Sequence, residues 1–205
     1  MNNGFVLVLL SDMLNELGEN ETQKILSEFS CPKNKDVENF LKKKAIMFSK
    51  QGVSQTHLVF YVDDTQKHLV GYFALAIKNL DINLTGRKLS SALSKRLHRF
   101  ATYDKTNKVN RMSALLIGQL GKNFYNGNNK YISGDELLNL ACEKVREVQM
   151  IAGGKFVYVE CEDKECLKNF YFNNGFVLFC KRALDRDEKD DMSGEYLLQL
   201  IKYLR

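Results

Sequence analysis

The second half of the chain alternates between short apolar runs and amphipathic stretches, and this order restricts the fold more than any other feature of the sequence. Residues 114–120, 155–161 and 176–180 have the apolar, β-rich composition of strands. Residues 135–149 and 164–173 repeat apolar side chains at helical spacing. A strand-helix-strand-helix-strand order makes at least one pair of strands parallel, with helices packed on the faces of the sheet. We therefore expect an α/β fold.

The first half predicts a mixture of helices and antiparallel strands. Residues 5–10 indicate a buried strand, and residues 12–29 indicate an amphipathic helix that Gly18 interrupts. The other predicted elements are, in order, a helix over residues 36–52, a hairpin of residues 57–62 and 68–77 that turns at Asp63 and Asp64, and a helix over residues 89–100.

Length and composition favour one globular domain over residues 1–205. The chain is 44% hydrophobic and 27% charged, and no repeat or Pro/Gly-rich linker divides it. The apolar run near the start is too short to span a membrane and has no basic flank, so we expect no membrane segment and a cytoplasmic location. Five cysteines without a CxxC pair, and three scattered histidines, predict reduced thiols and no metal site.

Basic residues concentrate between positions 87 and 111, where Asp104 is the single acid. They are Arg87, Lys88, Lys95, Arg96, Arg99, Lys105, Lys108 and Arg111. The stretch has two interpretations. It is either a solvated helix face or a surface that binds phosphates and gains affinity by releasing counterions. Aromatic residues are few, only Phe100 and Tyr103, so the stacking pattern of single-strand binding is weak.

The loop that leads into the helix at residues 135–149 is a candidate anion site. Backbone N–H groups and the helix dipole at such a helix start attract phosphates. Ser133 and Glu136 also fit the capping box S-x-x-E, which is found at ordinary helix starts. Asp135 and Glu136 bring negative charge to the same place. The segment is therefore either a phosphate loop or a simple capped helix.

Tyr171 is the second candidate. It lies in the segment NFYFNNGF, residues 169–176, on a helix that we expect Asp163 to cap and Asn174-Gly175 to end. Helical spacing puts Leu167 and Tyr171 on one face, which favours a core tyrosine. A tyrosine at the edge of a pocket is instead protonated at neutral pH and can act as an acid.

In this order the elements resemble the GNAT superfamily of acetyl-CoA-dependent N-acetyltransferases. The segment LIGQLGKN, residues 116–123, is similar to the central strand that pairs with the pantetheine arm. The segment SGDELL is similar to the pyrophosphate loop, and NFYFNNGF is similar to the signature FYxxxGF. The resemblance implies a mixed, mostly antiparallel sheet flanked by helices, in which a splayed parallel strand pair forms the cofactor site.

The resemblance also implies the residues of the site. Tyr171 falls at the general-acid position. The positions that would bind acetyl-CoA are Leu120, Gly121, Lys122, Asn129, Lys130, Tyr131, Ile132, Ser133, Gly134, Asp135 and Lys164. The chain departs from the loop pattern Q/R-x-x-G-x-G/A, of which only Gly134 is kept, and residues 124–128 lengthen the loop. Lys164 stands where the family often has an asparagine.

Within the superfamily, the chain is most similar to a subgroup that includes toxins acting on aminoacyl-tRNA. Four segments carry this similarity: FSC at residues 29–31, DVENFL at 36–41, GYFALA at 71–76 and LIGQL at 116–120.

The mechanism implied by the resemblance is direct attack of an amine on the acetyl thioester. Backbone N–H groups near residues 120–122 would polarise the carbonyl, and Tyr171 would protonate the departing sulfur. The central strand carries Gln119 instead of a carboxylate, and Glu160 and Glu162 are candidate bases only because they lie near the end of the next strand. An α-amine, with a pKa of about 7.7–8.0 against about 10.4 for lysine, needs less help from a base.

We therefore expect an α-amino acceptor such as aminoacyl-tRNA, bound through Lys95, Arg96 and Arg99. A small-molecule amine, a protein acceptor and a non-catalytic GNAT-like interaction module are the alternatives. The expected partners are the amine acceptor, tRNA and a second copy of the chain in a homodimer, with no membrane.

Overall fold

The protein combines eight strands and six α-helices in the part of the chain that a computed structural model describes, residues 4–64, 66–82, 89–185 and 194–204. The strands are β1 (Phe5–Leu9), β2 (Gln55–Val62), β3 (Lys67–Ile82), β4 (Thr102–Asp104), β5 (Val109–Lys122), β6 (Phe156–Cys161), β7 (Val177–Ala183) and β8 (Tyr196–Tyr203). The helices are α1 (Leu10–Ser27), α2 (Lys35–Asn39), α3 (Ala45–Lys50), α4 (Ser91–Phe100), α5 (Gly134–Ala152) and α6 (Glu165–Asn173).

The strands form one mixed sheet in the order β1-β2-β3-β5-β6-β8-β7, with β4 paired to β5. The pairs β1–β2, β2–β3, β4–β5, β6–β8 and β7–β8 are antiparallel, and β5 and β6 are parallel. The expected mixed, mostly antiparallel sheet with one parallel pair is therefore confirmed.

The chain divides into two compact units, residues 1–76 with 117–143 and residues 77–116 with 144–205. The single domain expected from the sequence stays a prediction. In the first unit, α1 to α3 pack on the strands around Tyr72, whose ring contacts those of Phe29 and Phe40. In the second unit, Leu97 of α4 packs with Phe156 and Tyr158 of β6.

Most predicted elements are present, and the differences have local causes. Gly18 breaks α1 as expected, with φ 77° and ψ 168°, a conformation open to glycine. The helix predicted over residues 36–52 is α2 and α3 joined by a π-helical turn at Phe40–Lys44. Strand β5 begins earlier than predicted because its polar start pairs with β4, which the sequence pattern did not indicate.

The prediction that Asp163 caps α6 is wrong. Lys164 occupies the N-cap position and its side chain makes no capping bond. The carboxylate of Asp163 instead lies 3.0 Å from Nζ of Lys168 and accepts a hydrogen bond of 2.8 Å from the hydroxyl of Tyr196. These partners compete with the helix N-terminus for the same oxygens. The predicted stop is confirmed: α6 ends at Asn173, and Gly175 has φ 78°.

Asn123, directly after β5, joins three segments of the first unit. Its side chain is fully buried. Its amide Nδ2 donates to the carbonyl oxygens of Leu69 at 2.9 Å and Glu28 at 3.3 Å. Its Oδ1 accepts from the N–H groups of Ser30 at 2.9 Å and Tyr125 at 3.0 Å. One amide therefore ties the end of α1, strand β3 and the loop before α5 to the end of the central strand.

We expect Asn123→Ala to lower the free energy of unfolding by about 3 kcal/mol, because buried backbone groups lose their partners. Urea denaturation of the two proteins measures this difference. Asn139→Ala, on the exposed side of α5, is the matched control and should change stability by less than about 0.5 kcal/mol. An Asn123→Ala protein as stable as the control would contradict the role given to this amide.

Candidate active site

The end of β5 is fixed by a close contact with α2. Gly121 points at this helix, and a Cβ atom at Gly121 would overlap Cγ1 of Val37 and lie 3.3 Å from Cζ of Phe29. Leu120 and Lys122 point to the opposite face, since side chains alternate along a strand, and both are half-buried. The absence of a side chain at Gly121 thus lets α2 approach β5 closely.

Gln119 belongs to the same contact. Its Nε2 donates to Oδ2 of Asp36 at 2.8 Å, and the buried hydroxyl of Tyr72 donates to the carbonyl of Val37 at 2.6 Å. Burial raises the pKa of Tyr72 well above its ordinary value, with Asp36 adding to the effect, so this hydroxyl stays protonated. These groups hold α2 against β5 and are engaged in that contact.

The extra residues of the loop form a 3₁₀ turn, Tyr125–Lys130, that is attached to the hairpin of β2 and β3. The amide of Asn128 donates to the carbonyl of Leu69 at 3.2 Å. The ring of Tyr131 stacks on Tyr61 at 4.8 Å and on His68 at 5.0 Å between centroids, yet 42% of Tyr131 is exposed. The lengthened loop is therefore held in place by its own contacts.

The other expected loop residues differ in their access to a ligand. Ile132 is 2% exposed, so its side chain points into the core and does not cover the loop. Lys130, Ser133 and Asp135 are exposed, and Asn129 and Gly134 are half-buried. The loop thus presents mostly polar and backbone groups to solvent.

The capping box predicted at the start of α5 is confirmed. The N–H of Ser133 donates to Oε2 of Glu136 at 2.8 Å, and the N–H of Glu136 donates to Oγ of Ser133 at 3.1 Å. These bonds hold the pKa of Glu136 below its ordinary value. Two of the N–H groups that could receive a phosphate are therefore occupied by side chains. The N–H of Gly134 has no hydrogen-bond partner among residues 4–64, 66–82, 89–185 and 194–204.

Two lysines contribute positive charge near this helix start. Burial and the neighbouring charge of Lys33 lower the pKa of Lys122, while Glu136 opposes that shift. Nζ of Lys33 lies 5.7 Å from the ring centroid of Phe124, the residue that follows Asn123. Lys33 is a candidate that sequence analysis missed. No motif contains it, and 89 positions separate it from Lys122.

Tyr171 lies on α6 in the second unit. It is 8% exposed, and its ring makes edge contacts with Phe170 at 5.0 Å and Phe176 at 5.6 Å. The N–H of Phe176 donates to the carbonyl of Tyr171 at 3.0 Å across the turn at Gly175. The aromatic contacts and the helix end together fix the position of the Tyr171 ring. A fixed ring is compatible both with a core tyrosine and with a tyrosine that acts as an acid.

The carboxylates near the end of β6 are all in ion pairs. Glu160 accepts from Arg182 at 2.7 Å and 3.1 Å and from Nε2 of Gln199 at 2.8 Å. Oε2 of Glu162 lies 2.6 Å from Nζ of Lys164. The two candidate bases and the expected cofactor ligand Lys164 are thus engaged with one another or with neighbouring strands.

The fold matches solved structures of other proteins. No family model and no curated protein matches the sequence. Among solved structures, AtaT complexed with acetyl-methionyl-tRNAfMet aligns with a TM-score of 0.61 and 14% identity over 95% of this chain and 93% of that one. A tyrosine-to-phenylalanine mutant of KacT aligns with a TM-score of 0.56 and 15% identity, over 96% of this chain and 94% of the other.

The chain has the GNAT fold. A mutant AtaT toxin bound to the C-terminus of the antitoxin AtaR and acetyl-CoA aligns at TM-score 0.59 and 13% identity, over 98% of this chain and 94% of that chain. The resemblance that the sequence predicted, to GNAT proteins and among them to toxins, is confirmed at the level of the fold. At these identities the likeness concerns architecture alone.

In this GNAT-fold chain, α4 carries the basic residues expected to meet tRNA. Lys95 and Arg99 are exposed and have no ion-pair partner within the described parts of the chain. Arg96 is half-buried, with its guanidinium 4.5 Å from the ring centroid of Tyr203. Arg111 is paired with Asp81 at 2.7 Å and Asp104 at 3.1 Å. Arg87 and Lys88 lie outside the described residues.

The described residues lack a metal-binding cluster and a membrane-spanning helix. They contain no group of three or more His, Cys, Asp or Glu side chains that could hold a metal ion. None of their helices is long and apolar enough to cross a membrane.

We expect Gly121→Ala to destabilise the protein by about 1–3 kcal/mol, because the added methyl group overlaps Val37. Val37→Ala removes the overlapping atom, so the double variant should lose less stability than the sum of the two single variants. Urea denaturation of all four proteins completes this double-mutant cycle. Additive effects would show that the strand and α2 do not meet through these two positions.

Proposed function

We propose that this protein is an N-acetyltransferase that transfers the acetyl group of acetyl-CoA to the α-amino group of an aminoacyl-tRNA. The observation that carries the proposal is the fold shared over 95% of the chain with AtaT, whose complex with acetyl-methionyl-tRNAfMet has been solved. An AtaT mutant has also been solved with acetyl-CoA. We propose that residues of this chain supply the chemistry that such a reaction needs.

The charges in the first unit fit the phosphates of acetyl-CoA. Lys33 and Lys122 provide ammonium groups near the start of α5, and Gly134 provides a backbone N–H. Helix N-termini and lysines are the usual partners of phosphate groups. The proposed cofactor-binding positions are Leu120, Gly121, Lys122, Asn129, Lys130, Tyr131, Ile132, Ser133, Gly134 and Asp135, joined by Lys33. Lys164 contributes less to cofactor binding, because its ammonium group is already paired with Glu162.

In the proposed mechanism each residue acts on a defined atom. Acetyl-CoA supplies an activated acetyl thioester. Backbone N–H groups of Leu120 to Lys122 would hold and polarise the thioester carbonyl, whose carbon the neutral amine would attack. As the C–S bond breaks, the hydroxyl of Tyr171 would protonate the departing sulfur, and the surplus proton on the new amide nitrogen would return to the tyrosinate. The aromatic contacts of Tyr171 restrict the ring, which keeps the hydroxyl oriented.

The ion pairs at the end of β6 bear on the choice of acceptor. Glu160 is held by Arg182 and Gln199, and Glu162 by Lys164, so neither carboxylate is well suited to take a proton from an incoming amine. An acceptor that is already neutral avoids this difficulty. An α-amine, with a pKa of about 7.7–8.0, is neutral far more often near pH 7 than a lysine side chain.

The surface of the second unit supports a nucleic-acid acceptor. Lys95 and Arg99 lack protein partners in the described residues, so they are available for phosphates. Tyr103 is 54% exposed, and its register opposite Asn110 puts it on the same sheet face as Met112, against which α4 packs. A stacking residue thus lies on the face that carries the basic helix.

We propose that residues 1–205 form one acetyltransferase domain. We also propose that the protein works in the reducing cytoplasm, since none of its five cysteines forms a disulfide in the structure.

We expect Tyr171→Phe to lower turnover with charged tRNA by roughly 100-fold or more, because the sulfur loses its proton donor. The affinity for acetyl-CoA, measured by calorimetry, should change by less than about twofold. Tyr203→Phe, which removes a hydroxyl elsewhere in the second unit, is the control. Unchanged turnover in the Tyr171 variant would remove this residue from the mechanism.

Replacing Lys95 and Arg99 together with alanine should weaken tRNA binding and reduce the salt dependence of its affinity by roughly one unit of slope per residue. Lys24→Ala with Lys50→Ala changes the net charge equally, at lysines already paired with Glu21 and Glu19, and is the control. Binding titrations over a series of salt concentrations measure the slopes. Equal slopes for both double variants would assign the tRNA contact to another surface.

A non-catalytic interaction module is the second candidate, and the capping box favours it. Ser133 and Glu136 satisfy N–H groups that a phosphate would otherwise use, and Glu136 adds negative charge. The same calorimetric titration separates the two candidates. Absence of heat and of a thermal shift at millimolar acetyl-CoA would favour the module and overturn the enzyme proposal.

A further inference from the structure

The two edges of the sheet are built differently. Strand β7 ends one side of the order, and β1 ends the other. β7 carries the charged Lys181 and Arg182, and its pairing is irregular between Leu178 and Cys180. Charges and bulges are the usual means by which edge strands avoid pairing with other chains. β1, with the sequence FVLVL, has no charge and no proline, and it pairs with β2 in unbroken register.

The register also shows which backbone groups of β1 point outward. The N–H of Val62 donates to the carbonyl of Gly4, which makes Gly4 and Val62 a hydrogen-bonded pair. In an antiparallel pair these alternate with non-bonded pairs, so Val6 and Val8 bond to β2, while the N–H and C=O groups of Phe5 and Leu7 face away. Among the described strands none pairs with this side of β1, so Phe5 and Leu7 present a short edge of backbone groups.

An apolar groove lies beside this edge. It has a volume of about 460 Å³ and lies between α1 and the face of β1, β2 and β3. Its apolar lining includes Val6 and Val8 of β1, Met13 and Leu17 of α1, Phe60 of β2 and Leu69 of β3. Val6 is 44% exposed and Leu17 is 49% exposed, which is unusual for neighbouring large apolar side chains. Exposed apolar surface next to a free strand edge is typical of a site where another strand adds to the sheet.

The charges around the groove favour a second copy of this chain as the occupant. Glu16, Glu28 and Lys67 line the groove, and none of the three has an ion-pair partner among the described residues. A patch that carries both signs is complementary to itself in a twofold contact, whereas a patch of one sign repels its copy. The uncharged β1 likewise meets no repulsion when it lies antiparallel to itself.

We propose that the protein forms a symmetric dimer in which the β1 strands of two copies pair antiparallel and the two grooves beside them are closed. The outward groups of Phe5 and Leu7 gain backbone partners, and Val6 and Leu17 leave water. The proposal is independent of the acetyltransferase proposal, because no residue of β1 or of the groove is assigned to cofactor or tRNA.

Sedimentation velocity over a wide range of protein concentration tests the dimer. The wild type should sediment as a dimer, and Val6→Lys should raise the dissociation constant by about tenfold or more, since the two copies would bring like charges together. Val177→Lys on the opposite edge, where the valine is 39% exposed, is the matched control and should remain dimeric. A monomeric wild type, or a Val6→Lys protein as dimeric as the control, would overturn the proposal.

Two further measurements keep the test decisive if Val6→Lys folds poorly. Leu17→Glu changes the groove from the side of α1 and should also dissociate the dimer. Hydrogen exchange should show the amides of Phe5 and Leu7 protected in the wild type and exchanging in Leu17→Glu. Protection that persists in a monomeric Leu17→Glu protein would show that these amides are covered within one chain, and would overturn the proposed pairing.

Discussion

The first unit depends on the four hydrogen bonds of one buried amide, that of Asn123. A carboxamide offers two donors and two acceptor lone pairs, and here both ends are used, on segments up to 95 residues apart in the chain. Backbone groups that leave regular structure inside a core need partners. Asn123 supplies them where β5 ends, and the loop before α5 can therefore leave the sheet without unsatisfied groups.

Two glycines allow helices to pack closely against the central strand β5 and its neighbour β3. Gly121 admits Val37 of α2 on one face, and a Cβ at Gly71 of β3 would lie 2.9 Å from the carbonyl oxygen of Gly121 and 3.2 Å from Leu137 of α5. Helices thus approach the same pair of strands closely from both faces. A side chain at either position would push the neighbouring helix away from the strands.

The charges at the start of α5 must satisfy two requirements, which are the capping of the helix by Glu136 and the proposed binding of a phosphate. The capping box stabilises the helix by using Glu136, and Lys122 offsets that negative charge. A phosphate ligand would share the same field. The affinity of this helix start for a phosphate would therefore depend on how the charge of Lys122, with Lys33 beside it, is balanced against the carboxylate of Glu136. A pattern of glycines alone does not describe this balance.

Local patterns were sufficient for much of the fold and for part of the site. The order of strands and helices, the break at Gly18, the capping box and the end of α6 at Gly175 all follow from preferences within a few residues, and the structure agrees with each. The Asp163 cap failed because Lys168 of the same helix and Tyr196 of β8 bind the same carboxylate, and the second of these partners is visible only in the tertiary structure.

The sequence by itself determined most of the helices and strands, with β4 and the start of β5 as exceptions, and it carried the segments that resemble the GNAT superfamily. Hydrophobic periodicity and turn-forming residues act over a few neighbouring positions, so they are visible in the sequence alone. Only the tertiary structure decided that Asn123 holds the loop, that Lys33 lies near Lys122, that Arg182 engages Glu160, and that β1 is an unprotected edge. Those facts join residues far apart in the chain, and no local pattern encodes a contact whose partner lies dozens of positions away.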